Sequence, residues 1–262
     1  HALERQCRAN QRECDNLTVK WEDTMTSTRD DLALASRIAH VEPLDSLEKK
    51  VRPNHTALIV IDVQNDFCDD QGVMAQEGFD VSEAQAMANR LPAILSAARS
   101  AGVLVVFVRN VYSTEHNFYL SDTWLEQASR MREGSYTRRP VCQDGTWEGD
   151  FYGDVSPEPG DPIVTKHRFN AFRNTDLDTI LRAHGIRTIV MTGVATNVCV
   201  ETTARDGFMR DFYVVFTDDG TAAYAEEDHQ ATLRNIDRFF GQVVQLADLQ
   251  AIWMSNEENT AN

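Results

Sequence analysis

The fold of this chain is decided by the stretch Ala57-Leu58-Ile59-Val60-Ile61-Asp62. Five consecutive apolar residues suit a strand that is buried on both faces, as in parallel sheets covered by helices. The run ends on an aspartate, which places a carboxylate at the carboxyl end of the strand. Open α/β sheets bind their ligands outside that end, so Asp62 is the first candidate for a functional residue.

Downstream of this strand, short apolar runs alternate with segments of helical character. The further strands are expected at Val103–Val108, Ile163–Thr165, Thr188–Thr192, Phe212–Phe216 and Val243–Val244. The helices are expected at Asp80–Ala101, Asp176–His184, Asn197–Arg210, Glu226–Phe240 and Asp248–Met254. This alternation predicts a three-layer α/β/α fold around one six-stranded parallel sheet. Residues 109–160 are predicted to be irregular.

Residues 1–52 differ from the rest because they are polar and charged, with only scattered apolar positions. They are predicted to form an N-terminal extension, with a helix over Thr28–Ala39, that packs on the body or on a partner subunit. The charged segment that ends at Arg52-Pro53 marks the predicted boundary. Residues 53–262 then form one α/β domain, for which the length of 262 residues leaves enough chain.

The composition excludes several classes of partner. Acidic residues number 41 against 25 Lys and Arg, and a net charge of −16 repels nucleic acid and anionic lipid. No apolar run approaches the ~20 residues that a membrane helix needs, and no signal-like segment is visible near the N-terminus. The five cysteines have irregular spacing and include no CxxC pair, so a reducing, cytoplasmic setting is expected.

Two further strand ends carry side chains with chemical potential. Lys166 directly follows Ile163-Val164-Thr165, and Cys199 lies where the segment Met191–Val200 runs from strand through a tight turn to helix. A cysteine in a first helical turn feels the positive end of the macrodipole, which lowers the pKa of its thiol. Unpaired N–H groups at such a helix start are ready donors for an oxyanion.

Each of these three residues also has an ordinary structural interpretation. Asp62 alone reads as a turn or cap residue, Lys166 as a solvated surface residue, and Cys199 as a small buried apolar residue. Together they place a base, a cation and a nucleophile on one edge of one sheet. That combination favours a catalytic site.

Two segments resemble the signatures of isochorismatase-like cysteine hydrolases. The first is Ile59-Val60-Ile61-Asp62-Val63-Gln64-Asn65-Asp66-Phe67, and the second is Thr192–Val200 with its Gly-x-x-Thr-x-x-Cys core. Lys166 occupies the lysine position between them, and the resemblance covers about Thr56 to Trp253.

The resemblance implies a catalytic triad of Asp62, Lys166 and Cys199 on a six-stranded parallel sheet. It also implies a non-proline cis peptide between Val194 and Ala195, which aims the Ala195 N–H, together with that of Cys199, at the oxyanion. Asp62 is then the general base, and Lys166 stabilises charge and orients Asp62.

The details of the motifs look most like ureidoacrylate amidohydrolases. This implies cleavage of a C–N bond in a ureidoacrylate-like or carbamoyl substrate through a thioester, with release of ammonia or carbamate. An amidase of another branch, acting on biuret, an N-carbamoyl amino acid or nicotinamide, is the alternative, as is a non-catalytic member that serves as a binding subunit. The segments that carry the likeness are Ala195–Glu201, Arg205–Phe208, Pro159–Asp161 and Asn174–Asp178.

Asn110 follows the second strand, where those enzymes place a polar substrate-binding residue, although a structural turn explains it nearly as well. The aromatic residues Phe67, Tyr112 and Phe172, with Trp147 and Phe169, are predicted either to wall a planar substrate or to pack within loops. Phe67 is the strongest of these candidates because it is close to Asp62 in sequence.

The resemblance implies neither a metal nor another cofactor. Nicotinamidases carry an Asp-x-His metal motif after the second strand, whereas this chain reads Arg109-Asn110-Val111-Tyr112-Ser113 there. True isochorismatases replace the cysteine, so Cys199 argues against that branch. Because families of this type commonly assemble, a homo-oligomer, either a dimer or a tetramer, is expected.

Overall fold

The computed structural model describes residues 42–116, 118–131 and 139–260. The body of the molecule is a compact unit that begins at Ser46, earlier than the predicted boundary at Arg52-Pro53. The difference arises because Val51 is fully buried in the core of the body, where its carbonyl accepts a hydrogen bond from Trp253 Nε1 at 2.9 Å. The helix predicted over Thr28–Ala39 lies outside the described residues.

The described residues contain six strands that form one sheet. They are β1 (Thr56–Ile61), β2 (Leu104–Asn110), β3 (Ile163–Lys166), β4 (Thr188–Val194), β5 (Tyr213–Ala222) and β6 (Gln242–Val244). All neighbouring strands are parallel, in the order β3-β2-β1-β4-β5-β6, which confirms the predicted sheet. The order reverses between β1 and β4, so the topological switch point lies at the carboxyl ends of these two strands.

Helices flank the sheet. They are α1 (Leu47–Lys50), α2 (Asn65–Cys68), α3 (Val73–Gln76), α4 (Ser82–Ala101), α5 (Asp122–Met131), α6 (Leu177–Ala183), α7 (Glu201–Met209), α8 (Glu226–Phe239) and α9 (Leu246–Thr260). Helices α4 and α9 pack on one face, and α6, α7 and α8 pack on the other. Within the described ranges, no helix is both long and apolar enough to cross a membrane.

The strand β1 shows why this sequence forms a buried central strand. Leu58 and Val60 pack into the apolar cluster under α4 and α9, whereas Ala57, Ile59 and Ile61 pack into the cluster under α6, α7 and α8. Every residue of β1 is buried, as the continuous apolar run predicted. This position holds the carboxyl end of β1 rigidly in the middle of the sheet edge.

Helix α5 corrects the expectation that residues 109–160 are irregular. Trp124, Leu125 and Ala128 recur at helical spacing among polar residues and join a third apolar cluster. Tyr112 and Cys142 are fully enclosed in that cluster. The third cluster therefore adds a packed layer beside the carboxyl edge of the sheet.

Candidate active site

Asp62 sits directly after β1 and is fully buried. Its backbone has φ +54°, in the left-handed region that aspartate tolerates better than most residues, so the chain turns sharply there. On the neighbouring strand, Gly193 has φ +110°, and a Cβ at that position would lie 2.0 Å from the Ile61 carbonyl oxygen. Glycine is thus required for β1 and β4 to approach each other beside the carboxylate.

Lys166 is the last residue of β3 and is fully buried. Its Nζ lies 2.7 Å from Asp62 Oδ2 and donates to Cys199 Sγ at 3.5 Å and to the Arg168 carbonyl at 3.1 Å. The ammonium thus has one ion-pair partner and two hydrogen-bond acceptors. The structure brings together the three side chains that the sequence predicted as a triad.

Cys199 lies in a π-helical turn, Thr196–Val200, between β4 and α7. The peptide bond between Val194 and Ala195 is cis, and the Ala195 carbonyl accepts hydrogen bonds from the N–H groups of Val198 and Val200 at 3.0 and 3.2 Å. Of the cysteines in the described residues, Cys68 and Cys142 are fully enclosed, whereas Cys199 borders a cavity.

Burial governs the electrostatics of the site. It raises the pKa of the Cys199 thiol to about 12, against the opposing attraction of Lys166. Burial thus acts against the lowering of this thiol's pKa that was expected from the helix start. Burial also raises the pKa of Asp62, although Lys166 and the Cys199 thiol act in the opposite direction.

The ammonium of Lys166 stays charged. Burial alone would lower the pKa of Lys166, but the attraction of Asp62 and Cys199 raises it above its ordinary value. The resting site therefore holds a buried ammonium beside Asp62 and a neutral Cys199 thiol. Such a thiol needs a base before it can act as a nucleophile, and the carboxylate next to it is a stronger base than an exposed one.

A cavity of about 370 Å³ opens at the switch point between β1 and β4. Aromatic rings form much of its wall, and acyl-transfer chemistry at Asp62 and Cys199 would take place on its inner surface. The cavity is lined by Asp62, Phe67, Met74, Phe79, Tyr112, Gln127, Phe169, Val194, Ala195, Asn197, Val198, Cys199, Tyr224, Ala225 and Asp228.

The structure separates the predicted aromatic residues into two groups. Phe67, Tyr112 and Phe169 line the cavity. Phe172 does not, because it is buried in the cluster under α6, α7 and α8, where its ring stacks on Phe212 at 5.9 Å. Trp147 is 45% exposed and does not line the cavity either.

Asn110 is fully buried at the end of β2, in register with Lys166 of β3, but it does not line the cavity. Its backbone exchanges two hydrogen bonds with the Gln64 side chain, at 2.7 and 3.0 Å. Neither polar atom of the Asn110 side chain has a hydrogen-bond partner among the described residues. A buried amide with unmet hydrogen-bonding capacity is unfavourable unless another group reaches it.

Several residues of the cavity wall were not predicted from the sequence. Tyr224 and Ala225 follow β5, so the rule that selected Asp62 would also have selected them if the end of β5 had been predicted correctly. The Tyr224 hydroxyl donates to the Phe67 carbonyl at 3.0 Å and ties two walls together. Gln127 lies on α5, a helix that the sequence did not reveal.

In the described part of the chain, no group of three or more His, Cys, Asp or Glu side chains is placed to hold a metal ion. The acidic residues of the cavity, Asp62 and Asp228, stand with a thiol and neutral side chains.

Comparisons with known proteins agree with this geometry. A family model described as the Isochorismatase domain matches residues 56–248. The ureidoacrylate amidohydrolase RutB of Enterobacter sp. (strain 638) is 37% identical over 206 residues, covering 75% of this chain and 88% of that protein. Its counterpart from Caulobacter vibrioides (strain ATCC 19089 / CIP 103742 / CB 15) is 37% identical over 218 residues, covering 81% and 95%. A cysteine hydrolase from Pseudomonas syringae pv. phaseolicola 1448A superposes with a TM-score of 0.69 at 28% identity, covering 82% and 98%.

Proposed function

The chain belongs to the isochorismatase-like family of cysteine hydrolases, and from that premise we propose that it cleaves a C–N bond of a small amide or ureido compound through a thioester on Cys199. One observation carries the proposal. Lys166 Nζ stands 2.7 Å from Asp62 Oδ2 and 3.5 Å from Cys199 Sγ, beside a cavity large enough for a small planar substrate.

The first step is the transfer of a proton from the Cys199 thiol to the Asp62 carboxylate. The transfer moves a negative charge from the carboxylate to the sulfur, and both groups are neighbours of the same ammonium. The net charge of the buried site does not change, so burial opposes this step much less than it opposes loss of the proton to solvent. Lys166 is thus the charge stabiliser, and Asp62 is the general base.

The thiolate then attacks the substrate carbonyl carbon, and an S–C bond forms as the carbonyl oxygen becomes an oxyanion. Ala195 and Cys199 both line the cavity, and their N–H groups are the proposed donors to that oxyanion. The C–N bond breaks as the leaving amine takes the proton from Asp62. Asp62 next removes a proton from water, and the resulting hydroxide attacks the thioester carbon. The S–C bond breaks, and the Cys199 thiolate takes the proton back from Asp62.

Ureidoacrylate-like compounds are the proposed first class of substrate, because the relatives with this name match most of the chain. The flat aromatic walls at Phe67, Tyr112 and Phe169 suit a planar conjugated substrate. For a ureido substrate, the released carbamate decays to ammonia and carbon dioxide. Asn110 lies behind the cavity wall, in register with Lys166, and its buried amide has unmet hydrogen-bonding capacity. It is proposed to bind a polar end of the substrate only if that end reaches past the wall.

A neutral carbamoyl compound such as biuret is the second candidate, and the charge of the cavity favours it. None of the described residues that line the cavity is Lys or Arg, whereas Asp228 adds a carboxylate to the wall. A carboxylate tail of a substrate finds no cation among these residues and has to rely on neutral donors such as Gln127 and Asn197. A neutral substrate meets no such restriction.

An ammonia-release screen tests the proposal. The panel contains ureidoacrylate, biuret, N-carbamoyl amino acids, nicotinamide and simple amides, with Cys199→Ala as the control for each. We expect the wild-type chain to release ammonia from at least one ureido or carbamoyl member and Cys199→Ala to release none. Undiminished ammonia release by Cys199→Ala would remove Cys199 as the nucleophile, and a wild-type chain inactive on the whole panel would favour a binding subunit.

We also propose a homo-oligomer, a dimer or a tetramer, to which residues 1–52 contribute. Apolar side chains at the ends of α7 and α8 support association, since Met209 is 75% exposed and Phe239 is 59% exposed. Light scattering on the full chain, on a chain that begins at Ser46 and on Met209→Glu/Phe239→Glu tests this. A monomeric mass for the full chain contradicts the proposal.

A further inference from the structure

Behind the turn that bears Cys199 (Thr196–Val200, the nucleophile turn), a second set of polar side chains forms a hydrogen-bonded series. The proposed chemistry does not use this series. Thr196 Oγ1 lies 2.9 Å from His229 Nδ1, and His229 Nε2 lies 3.0 Å from Asp218 Oδ1. Gln245 Nε2 then donates to Asp218 Oδ2 at 2.8 Å. The series runs from the turn that bears Cys199, through α8, to β5 and the end of β6.

The protonation of this series follows from its acceptors. Partial burial raises the pKa of the Asp218 carboxyl, but the hydrogen bonds from His229 and Gln245 lower it. The pKa therefore lies below its ordinary value. An ionised carboxylate only accepts hydrogen bonds, so His229 Nε2 carries a proton and donates it to Asp218. In the neutral imidazole, Nδ1 is then the acceptor, and the Thr196 hydroxyl is the donor to it.

Thr196 is not a second nucleophile. Its side chain is fully buried and does not line the cavity, and His229 is only 8% exposed. Thr196 instead follows Ala195 directly and begins the turn that ends just after Cys199. The turn has no side-chain cap at its start, so the hydrogen bond to His229 is the side-chain contact that ties this end of the turn to the body.

The sulfur and the amides of the turn are held by different contacts. Cys199 Sγ is fixed by Lys166 at 3.5 Å, and the Cys199 carbonyl accepts from Thr203 Oγ1 at 2.7 Å. At the other end of the turn, the Thr196 side chain is fixed by His229 at 2.9 Å. Loss of the His229 contact should therefore disturb the Ala195 end of the turn more than the position of the sulfur.

We propose that Thr196, His229 and Asp218 are positioning residues that fix the Ala195 end of the nucleophile turn, and with it the amides that bind the oxyanion. The proposal rests on the proposed function, because an oxyanion exists only if acyl transfer takes place. Small displacements at such donors have large kinetic effects, since a misplacement of about 1 Å lowers the rate by roughly 100-fold.

The first experiment compares Thr196→Val with Thr196→Ser on a substrate found in the ammonia screen. Valine keeps the shape of threonine but cannot donate to His229, whereas serine keeps the hydroxyl. We expect Thr196→Val to lower kcat by roughly 10- to 100-fold with KM within about twofold. Thr196→Ser should keep kcat within about threefold of wild type.

A second pair of variants divides the two contacts of the imidazole. The amide of asparagine reaches the position of Nδ1 and can accept from Thr196, whereas the amide of glutamine reaches the position of Nε2 and can donate to Asp218. We expect His229→Asn to keep most of kcat, because its amide oxygen accepts from Thr196 without the tautomer that Asp218 imposes on the imidazole. His229→Gln should lose kcat as Thr196→Val does. His229 and Asp218 both border a second, polar cavity of about 480 Å³, so water can reach the space that a smaller side chain leaves.

Two controls separate positioning from folding. Circular dichroism melting shows whether each variant is folded at the assay temperature, and the rate of Cys199 alkylation by iodoacetamide reports the sulfur without using the oxyanion donors. We expect alkylation within about threefold of wild type in all four variants. If a threonine variant does not fold, the asparagine and glutamine pair decides the question.

Folded variants that all retain wild-type kcat would overturn the proposal, as would equal losses in His229→Asn and His229→Gln. Activity in Cys199→Ala would instead overturn the proposed function. The two failures are therefore distinguishable.

Discussion

The triad and the cavity wall are built in different ways, although they border the same space. The triad comes from the carboxyl ends of β1, β3 and β4. Its Lys166 ammonium contacts both Asp62 and Cys199. The wall comes from α2, α3 and α5, from the turn Thr196–Val200 and from the segment after β5. The sheet therefore determines which bond chemistry is available, and the wall determines which molecule reaches it.

This difference also separates rigid from adaptable parts of the site. Asp62 and Cys199 follow β1 and β4, two central strands that are buried throughout, so a change of position there disturbs the core. The wall residues are held by ring contacts: Phe79 lies 5.6 Å from Tyr224 within the wall, and Phe169 and Tyr112 both contact Trp124 behind it, at 4.7 and 5.1 Å. Substitutions in the triad should therefore remove turnover, and substitutions in the wall should change substrate preference.

The largest expected effect is that of Asp62→Asn. The amide cannot accept the thiol proton, and burial keeps the Cys199 thiol neutral, with its pKa raised to about 12 in the wild-type site. We expect kcat to fall by roughly 10²- to 10⁴-fold in steady-state assays of ammonia release. Normal formation of the acyl-enzyme by this variant would remove Asp62 as the base.

The next largest effect is expected from loss of the Lys166 ammonium, and it concerns the free energy of unfolding. Lys166→Met leaves the Asp62 carboxylate buried without its partner, so the free energy of unfolding should fall by about 3–5 kcal/mol. The folded-state pKa of Asp62 is raised further in this variant, so the loss should shrink as the pH falls and the carboxyl becomes protonated. Urea denaturation at neutral and acidic pH measures both effects.

The double variant Asp62→Asn/Lys166→Met is the matched control for the stability test. Because it removes both charges, it should be more stable than Lys166→Met alone. A double variant less stable than Lys166→Met would show that the ion pair is not what the single variant breaks.

The pH dependence of Cys199 alkylation tests the proton transfer inside the triad. In the wild-type chain, transfer to Asp62 needs no proton exchange with solvent, so the alkylation rate should change little around neutral pH. In Asp62→Asn the thiol has to lose its proton to solvent, so the rate should rise about tenfold per pH unit. A wild-type profile as steep as that of the variant would contradict the role of Asp62.

The smallest expected effect belongs to the wall. Phe169→Leu should raise KM for a planar substrate about tenfold, or about 1.4 kcal/mol, with kcat within about twofold. Phe172→Leu is the matched control, since Phe172 lies in the core and should lower stability by about 1 kcal/mol without changing KM. A KM increase of the same size in Phe172→Leu would show that the effect on KM is not specific to the cavity wall.

The sequence predicts the sheet and the proximity of Asp62, Lys166 and Cys199, because both follow from one rule. Continuous apolar runs become strands buried on both faces, and parallel strands end at a common edge. Asp62, Lys166 and Cys199 each follow such a run, so their proximity needs no knowledge of the loops. The motif resemblance adds their roles, which spacing alone leaves open.

The remaining differences arise where long-range packing outweighs local pattern. Strand β5 continues from Phe216 to Ala222 through polar residues that read as a turn, because pairing with β4 resumes after an irregularity in the register. Phe172 points into the core because Phe212 is available there as a partner. The pKa of Cys199 follows its burial, which no local sequence signal reveals.

The central claim is that Cys199 forms the acyl-enzyme, and mass spectrometry of peptides from the acid-quenched protein is its direct test. The chain is mixed with a substrate from the ammonia screen, quenched in acid within one turnover and digested. We predict an added acyl or carbamoyl mass on the peptide that carries Cys199, and no such mass in Cys199→Ala. Turnover by the wild-type chain without any adduct, together with activity in Cys199→Ala, would contradict the account.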